Sequence, residues 1–143
     1  MSSFKHAVAV AGWAATISIL VLALTAGTAL AGKPGGQTSG STLHLVVLDG
    51  SNGLPNHTER VAFDVSTTAT DRPFVGVRCW QGANWVLDGY TGSFDTYMFD
   101  PWVTLDSPYW TAGVAADCTA RLFYYDRRGN QKVLATLAFT ALP

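Results

Sequence analysis

Two cysteines, set in strand-like runs downstream of an apolar leader, constrain this chain more than any other feature. Cys79 and Cys118 are the only cysteines. Cys79 ends the run Pro73-Phe-Val-Gly-Val-Arg-Cys79, and Cys118 opens Cys118-Thr-Ala-Arg-Leu-Phe-Tyr-Tyr125. In an oxidising compartment, two lone cysteines in a β-rich domain read as one disulfide between strands. Closing a loop of about forty residues contributes about 4 kcal/mol in the chain-entropy treatment, less any strain. A free redox pair is the weaker reading, because the spacing offers no C-x-x-C activation.

The N-terminus points to that compartment. Lys5 and His6 make a short basic start, and Ala7 to Ala31 carries no charge. Ile17 to Leu24 is the densest apolar stretch, and Ala29-Leu30-Ala31 places small residues at both recognition positions of a signal-peptide cleavage site. Cleavage after Ala31 would leave a mature chain from Gly32. The rival reading is an uncleaved anchor, since the uncharged stretch is long enough to span a bilayer. The expected organisation is a signal peptide over 1–31, a flexible Gly/Ser tether over 32–41, and one folded domain over 42–143. The expected location is secreted or on the cell-envelope exterior, with a membrane contact only if the leader is an anchor.

Strand signals recur at short spacing through the domain. Thr42 to Leu48 is the first. Arg60 to Ser66 alternates, with Val61, Phe63 and Val65 on one face. Phe74 to Trp80 puts Val75, Val77 and Cys79 on one face, and Val114 to Tyr125 does so with Cys118, Ala120, Leu122 and Tyr124. Asn84 to Leu87 reads as a short strand. Thr96 to Leu105 is aromatic and interrupted by Pro101, which demotes its middle to an edge or bulge. Asp126-Arg-Arg-Gly-Asn130 reads as a hairpin turn before a last strand over Lys132 to Thr140. No helical period is sustained after the leader. About seven short strands between turns of Gly, Pro, Asn and Asp predict an all-β antiparallel sandwich.

On these residues the domain resembles the immunoglobulin-like and fibronectin-like β-sandwich superfamily. The shared parts are two strand-borne cysteines, a nearby tryptophan (Trp80 or Trp85), and a closing two-strand hairpin from Val114 to Thr140. Three departures stand out. Antibody-type domains usually separate their cysteines by more residues than lie between Cys79 and Cys118. Antibody-type domains place a tyrosine two positions before the second cysteine, where this chain has Ala116. Counting strands also puts Cys79 on the third rather than the second. A bridge to the sixth would then join neighbours in one sheet. The resemblance therefore implies an Ig-like sandwich outside the antibody type.

Little in the chain suggests catalysis. A Ser-His-Asp set can be written as Ser93, His57 and Asp95, but no G-x-S-x-G elbow accompanies it. His44 sits on the first strand. Zinc would need three or four convergent ligands, and neither H-x-x-x-H nor C-x-x-C occurs. Asp95, Asp100 and Asp106 lack the D-x-D-x-D-G pattern of a calcium loop and read as turn and strand-end residues. No catalytic residue, metal or cofactor is expected. The formal net charge of −1 and the lack of a long basic run argue against nucleic acid. Asn56-His57-Thr58 fits the N-glycosylation sequon.

The segment from Trp80 to Trp110 is dense in aromatic residues, with Asp, Asn and Gly between them. Such rings can form a core, or a recognition surface in which flat faces stack and carboxylates accept hydrogen bonds. Tyr90, Phe94 and Tyr97 are the expected ligand-binding residues, because Gly and Asp flank them. Trp80 and Trp102 are expected in the core. The leading functional expectation is a non-enzymatic exterior module that binds an extracellular protein or a glycan. The alternatives are a carbohydrate-binding module using the aromatic patch and a small secreted inhibitor or enzyme.

Overall fold

The computed structural model describes residues 40–143. The expected signal peptide and most of the tether lie outside the described residues. Seven strands follow in order: β1 (Thr42–Val47), β2 (Arg60–Ser66), β3 (Phe74–Gln81), β4 (Asn84–Gly92), β5 (Val103–Thr104), β6 (Ala116–Tyr125) and β7 (Gln131–Ala141). They form two antiparallel sheets, one ordered β1-β2-β5 and the other β4-β3-β6-β7. The described residues are all-β and sandwich-like. Its core takes Leu43, Val61 and Val103 from the first sheet and Val75, Val77, Cys79, Cys118, Ala120, Leu122, Leu137 and Phe139 from the second.

The inward faces follow from period-two alternation. On β3, Val75, Val77, Cys79 and Gln81 are buried while Arg78 is exposed. Two bulges modify the pattern. Cys79 pairs with Leu87 and Trp80 with Trp85, so Val86 is the extra residue on β4. Leu122 pairs with Ala135 and Phe123 with Val133, so Leu134 is the extra residue on β7. At each bulge two consecutive residues are buried, Val86 with Leu87 and Leu134 with Ala135.

The disulfide joins Cys79 to Cys118. The two residues are direct register partners on neighbouring strands, so the bridge lies within one sheet. That matches the expectation from counting strands.

Polar contacts fasten the connections. Asp49 accepts the Arg60 backbone N–H at 2.9 Å and grips its guanidinium through Nε at 2.8 Å and Nη2 at 2.6 Å. This holds the long β1–β2 connection closed. The buried Gln81 amide donates to Thr111 O at 3.0 Å and Val114 O at 2.7 Å, and accepts from Thr111 N–H at 2.9 Å. That amide pins the loop before β6 to the end of β3. In the β6–β7 turn, Asp126 accepts the backbone N–H groups of Arg128 and Asn130, both at 2.9 Å, and Gly129 supplies a φ of 78°.

Two expectations change here. β4 runs on to Gly92 instead of stopping at Leu87. The aromatic stretch 96–105 contributes only Val103–Thr104 to a sheet. Tyr97 folds back onto Phe74 at the start of β3 and Phe99 packs edge-on against Tyr97, so these rings serve a cluster rather than an alternating strand. The core tryptophan is Trp110, 8% exposed, whereas Trp80 and Trp102 are half-buried. Trp80 lies on the outward side of β3, and the Trp102 ring packs under the Arg60 guanidinium at 5.2 Å.

Candidate functional site

The outward face of the four-stranded sheet carries a cleft of about 430 Å³. Strand register builds it row by row. The row of Phe74 sets that ring beside Phe123. In the next row Gly76 lies between Tyr90 on β4 and Arg121 on β6. The row after that places Arg78 beside Asp88 and Thr119. Gly76 therefore leaves a notch in the middle of the face, with large side chains on every side. A Cβ there would lie 3.3 Å from Phe123 Cε1, within the space the cleft now occupies. Glycine inside a strand commonly marks such a close approach.

One wall of the cleft is aromatic. Phe74 stacks on Phe123 at 5.8 Å and meets Tyr125 edge-on at 6.1 Å. Tyr125 is 57% exposed and Tyr90 67%. The opposite wall is ionic: Arg78 Nη2 lies 3.0 Å from Asp88 Oδ2. Arg121 and Gln131 complete the lining. Arg121 is half-buried, and among the described residues its guanidinium has no ion pair and no side-chain hydrogen bond. The lining thus combines apolar faces, a donor–acceptor pair and one uncompensated cation. It suits non-covalent recognition of a ligand with both an apolar face and polar edges.

The three expected binding residues separate. Tyr90 lines this cleft. Phe94 and Tyr97 are half-buried in the β4–β5 connection and line a second groove of about 370 Å³, with Phe63, Val75 and Pro101. Phe74 links the two regions, meeting Phe94 at 5.4 Å and Tyr97 at 6.3 Å, both edge-on. Beyond them Met98 and Phe99 are 89% and 71% exposed at the tip of the connection. Sequence reasoning missed Phe74, Gly76, Arg121, Phe123 and Tyr125 because it stopped at the aromatic-dense segment. The signal was present in the alternation of the cysteine strands, whose outward positions are these residues.

Ser93, His57 and Asp95 do not form a catalytic set. Ser93 donates its backbone N–H to Pro73 O, at the start of β3. His57 lies at the other end of the domain, where its Nε2 is 3.1 Å from Asp106 Oδ1 and its ring stacks on Trp110 at 5.0 Å. No three His, Cys, Asp or Glu side chains converge as a metal site among the described residues. The sequon asparagine is occupied by packing. Asn56 Nδ2 donates to Glu59 Oε2 at 2.8 Å, Leu54 O at 2.9 Å and Asn52 Oδ1 at 3.2 Å. A glycan on that nitrogen would displace a donor hydrogen from this network.

Comparison of the chain with protein-family models, with curated proteins and with solved structures finds no match.

Proposed function

We propose that this is a non-enzymatic module of the cell exterior, which binds an extracellular protein or glycan through the outward face of β4-β3-β6-β7. The observation that carries the reading is the Gly76 notch, walled by Tyr90, Phe74, Phe123 and Tyr125 and edged by Arg78, Asp88 and Arg121. A sheet face with no binding task needs no such concavity, and loops and faces on a rigid scaffold are where recognition residues concentrate.

The finer fold assignment in this proposal is an Ig-like, fibronectin-like sandwich. In the immunoglobulin constant arrangement the fourth strand joins the first, second and fifth. Here the fourth strand pairs with the third, giving three strands in one sheet and four in the other. That shift widens the sheet holding the cleft and supplies Tyr90 and Asp88 to it. The intrachain bridge accords with an oxidising exterior, and the leader over 1–31 is the proposed route there.

Gly76→Val tests the reading. Its side chain would fill the notch on the outward face and leave the core untouched. Binding is measured against arrayed glycans and extracellular proteins. The expected result is loss of the wild-type binding signal in a variant that still folds, with a modestly lower melting temperature because the Phe123 ring must shift. A variant that folds and binds as wild type would overturn the assignment of this face.

A further inference from the structure

We infer that the ligand of this cleft is an acidic saccharide whose carboxylate is held by Arg121. The inference rests on the proposal that the outward sheet face is a binding surface.

The argument for an anion begins with charge pairing. Arg60 is paired with Asp49, Arg78 with Asp88 and Lys132 with Asp126. Arg72, Arg127, Arg128 and Arg121 have no carboxylate partner among the described residues, and of these four Arg121 alone is half-buried, on an inner strand of the sheet. Its direct register partners are Gly76 on β3 and Thr136 on β7, neither of them charged. Inside the cleft the Arg78 and Asp88 charges cancel, which leaves the Arg121 cation on a chain whose formal net charge is −1. A guanidinium removed partly from water and unpaired gains free energy when a carboxylate meets its planar fork of donors.

The remaining lining selects a sugar over a peptide. One common mode of holding an extended peptide is to add it as a strand to a free sheet edge. The floor here is made by β3 and β6, and each already pairs on both sides. Backbone pairing is therefore closed to the ligand, and side chains alone must recognise it. The exposed rings of Tyr90 and Tyr125 offer flat apolar faces to the C–H face of a pyranose. Arg78 and Asp88, in contact with each other, present donor and acceptor side by side, as neighbouring hydroxyls require. Gly76 lets the ring approach the sheet, and the volume of about 430 Å³ suits a short stretch of oligosaccharide.

The test titrates the full-length chain with three acidic probes: tetragalacturonate, a hyaluronan tetrasaccharide and sialyllactose. Neutral counterparts are the galacturonate methyl ester, an uncharged tetraglucoside and lactose. A glutamate-rich peptide serves as the competing anion. At least one acidic probe is expected to bind tenfold or more tightly than its neutral counterpart at low salt, with the margin shrinking as salt rises. Arg121→Gln should remove that margin and Arg121→Lys should keep part of it, because lysine retains charge without the fork. If Arg121→Gln does not fold, the comparison of acid with ester on the unaltered chain decides.

Equal binding of acid and ester, no binding of any acidic probe, or equal competition by the peptide would overturn the acidic-saccharide assignment. The broader reading is judged separately. A neutral glycan or a protein that binds, and is lost in Gly76→Val, keeps the sheet face as a binding surface while the ligand class falls.

Discussion

Gly92 carries no side chain because the Tyr97 ring occupies the space that a Cβ would enter. A Cβ built on Gly92 would overlap that ring and lie 2.8 Å from Phe94 Cε1. The two half-buried aromatics thus seal the end of β4 against Phe74. Gly92→Ala is expected to force this cluster apart and cost about 1–3 kcal/mol, as overpacking does. Tyr90→Ala on the same strand removes an exposed ring and should change stability by no more than about 0.5 kcal/mol. Urea unfolding of the two variants checks the contrast. Equal losses would mean that Tyr90 is structural as well.

Replacing Cys79 and Cys118 together by alanine is expected to lower stability by about 2–5 kcal/mol. The bridge closes a loop with a sequence separation of 39. Strand pairing around it should persist, because β3 and β6 remain hydrogen-bonded neighbours. Chemical unfolding gives the loss, and a far-ultraviolet spectrum unchanged at low temperature checks the pairing.

Gln81→Leu should release the loop between β5 and β6. It removes partners from Thr111 N–H, Thr111 C=O and Val114 C=O at once. Unsatisfied buried groups cost about 1–3 kcal/mol each, and a loop that opens to water recovers part of this, so about 2–3 kcal/mol is expected overall. Hydrogen exchange at the Thr111 amide should speed up markedly more than at the β3 amides. Uniform exchange across both would count against a local anchor.

Acid should weaken the closure of the β1–β2 connection. The Arg60 guanidinium and backbone N–H hold the Asp49 carboxyl at about 2, below its ordinary 3.8. The unfolded chain therefore takes up this proton at higher pH than the folded one. The contribution of Asp49 is complete above about pH 4 and is lost as pH falls toward about 2. Asp126, held low chiefly by the Asn130 backbone N–H, acts in the same direction. Melting temperature followed against pH in wild type and Asp49→Asn isolates the first group. The variant should show a shallower acid slope and the wild-type slope above pH 5.

The strands were legible where apolar residues alternate cleanly. β2 was read to its ends, and the buried faces of β3 and β6 follow from Val75, Val77 and Cys79 and from Cys118, Ala120 and Leu122. Legibility failed where a glycine packs instead of turning. The short strand read over Asn84 to Leu87 continues through Gly89, which pairs with Val77 on β3 and whose missing Cβ leaves room for Val103 Cγ1, 3.1 Å from where that Cβ would lie. Tryptophan placement failed because long-range contacts, and not local sequence, bring Trp110 against His57. Of the cleft, only Tyr90 was foreseen. The rest depends on which strands lie side by side, and no periodicity within one strand encodes that.

The position of the bridge also governs how the domain behaves under load. A pull on its two ends travels along the chain to Cys79, crosses the sulfurs and leaves from Cys118. The segment between them, roughly 130 Å if fully extended, is excluded from the extension. β4, β5 and the Asp88–Tyr90 side of the cleft lie in that shielded segment. The remaining strands can be peeled away while the bridged hoop stays bypassed, so the disulfide sets a ceiling on how far this module can lengthen.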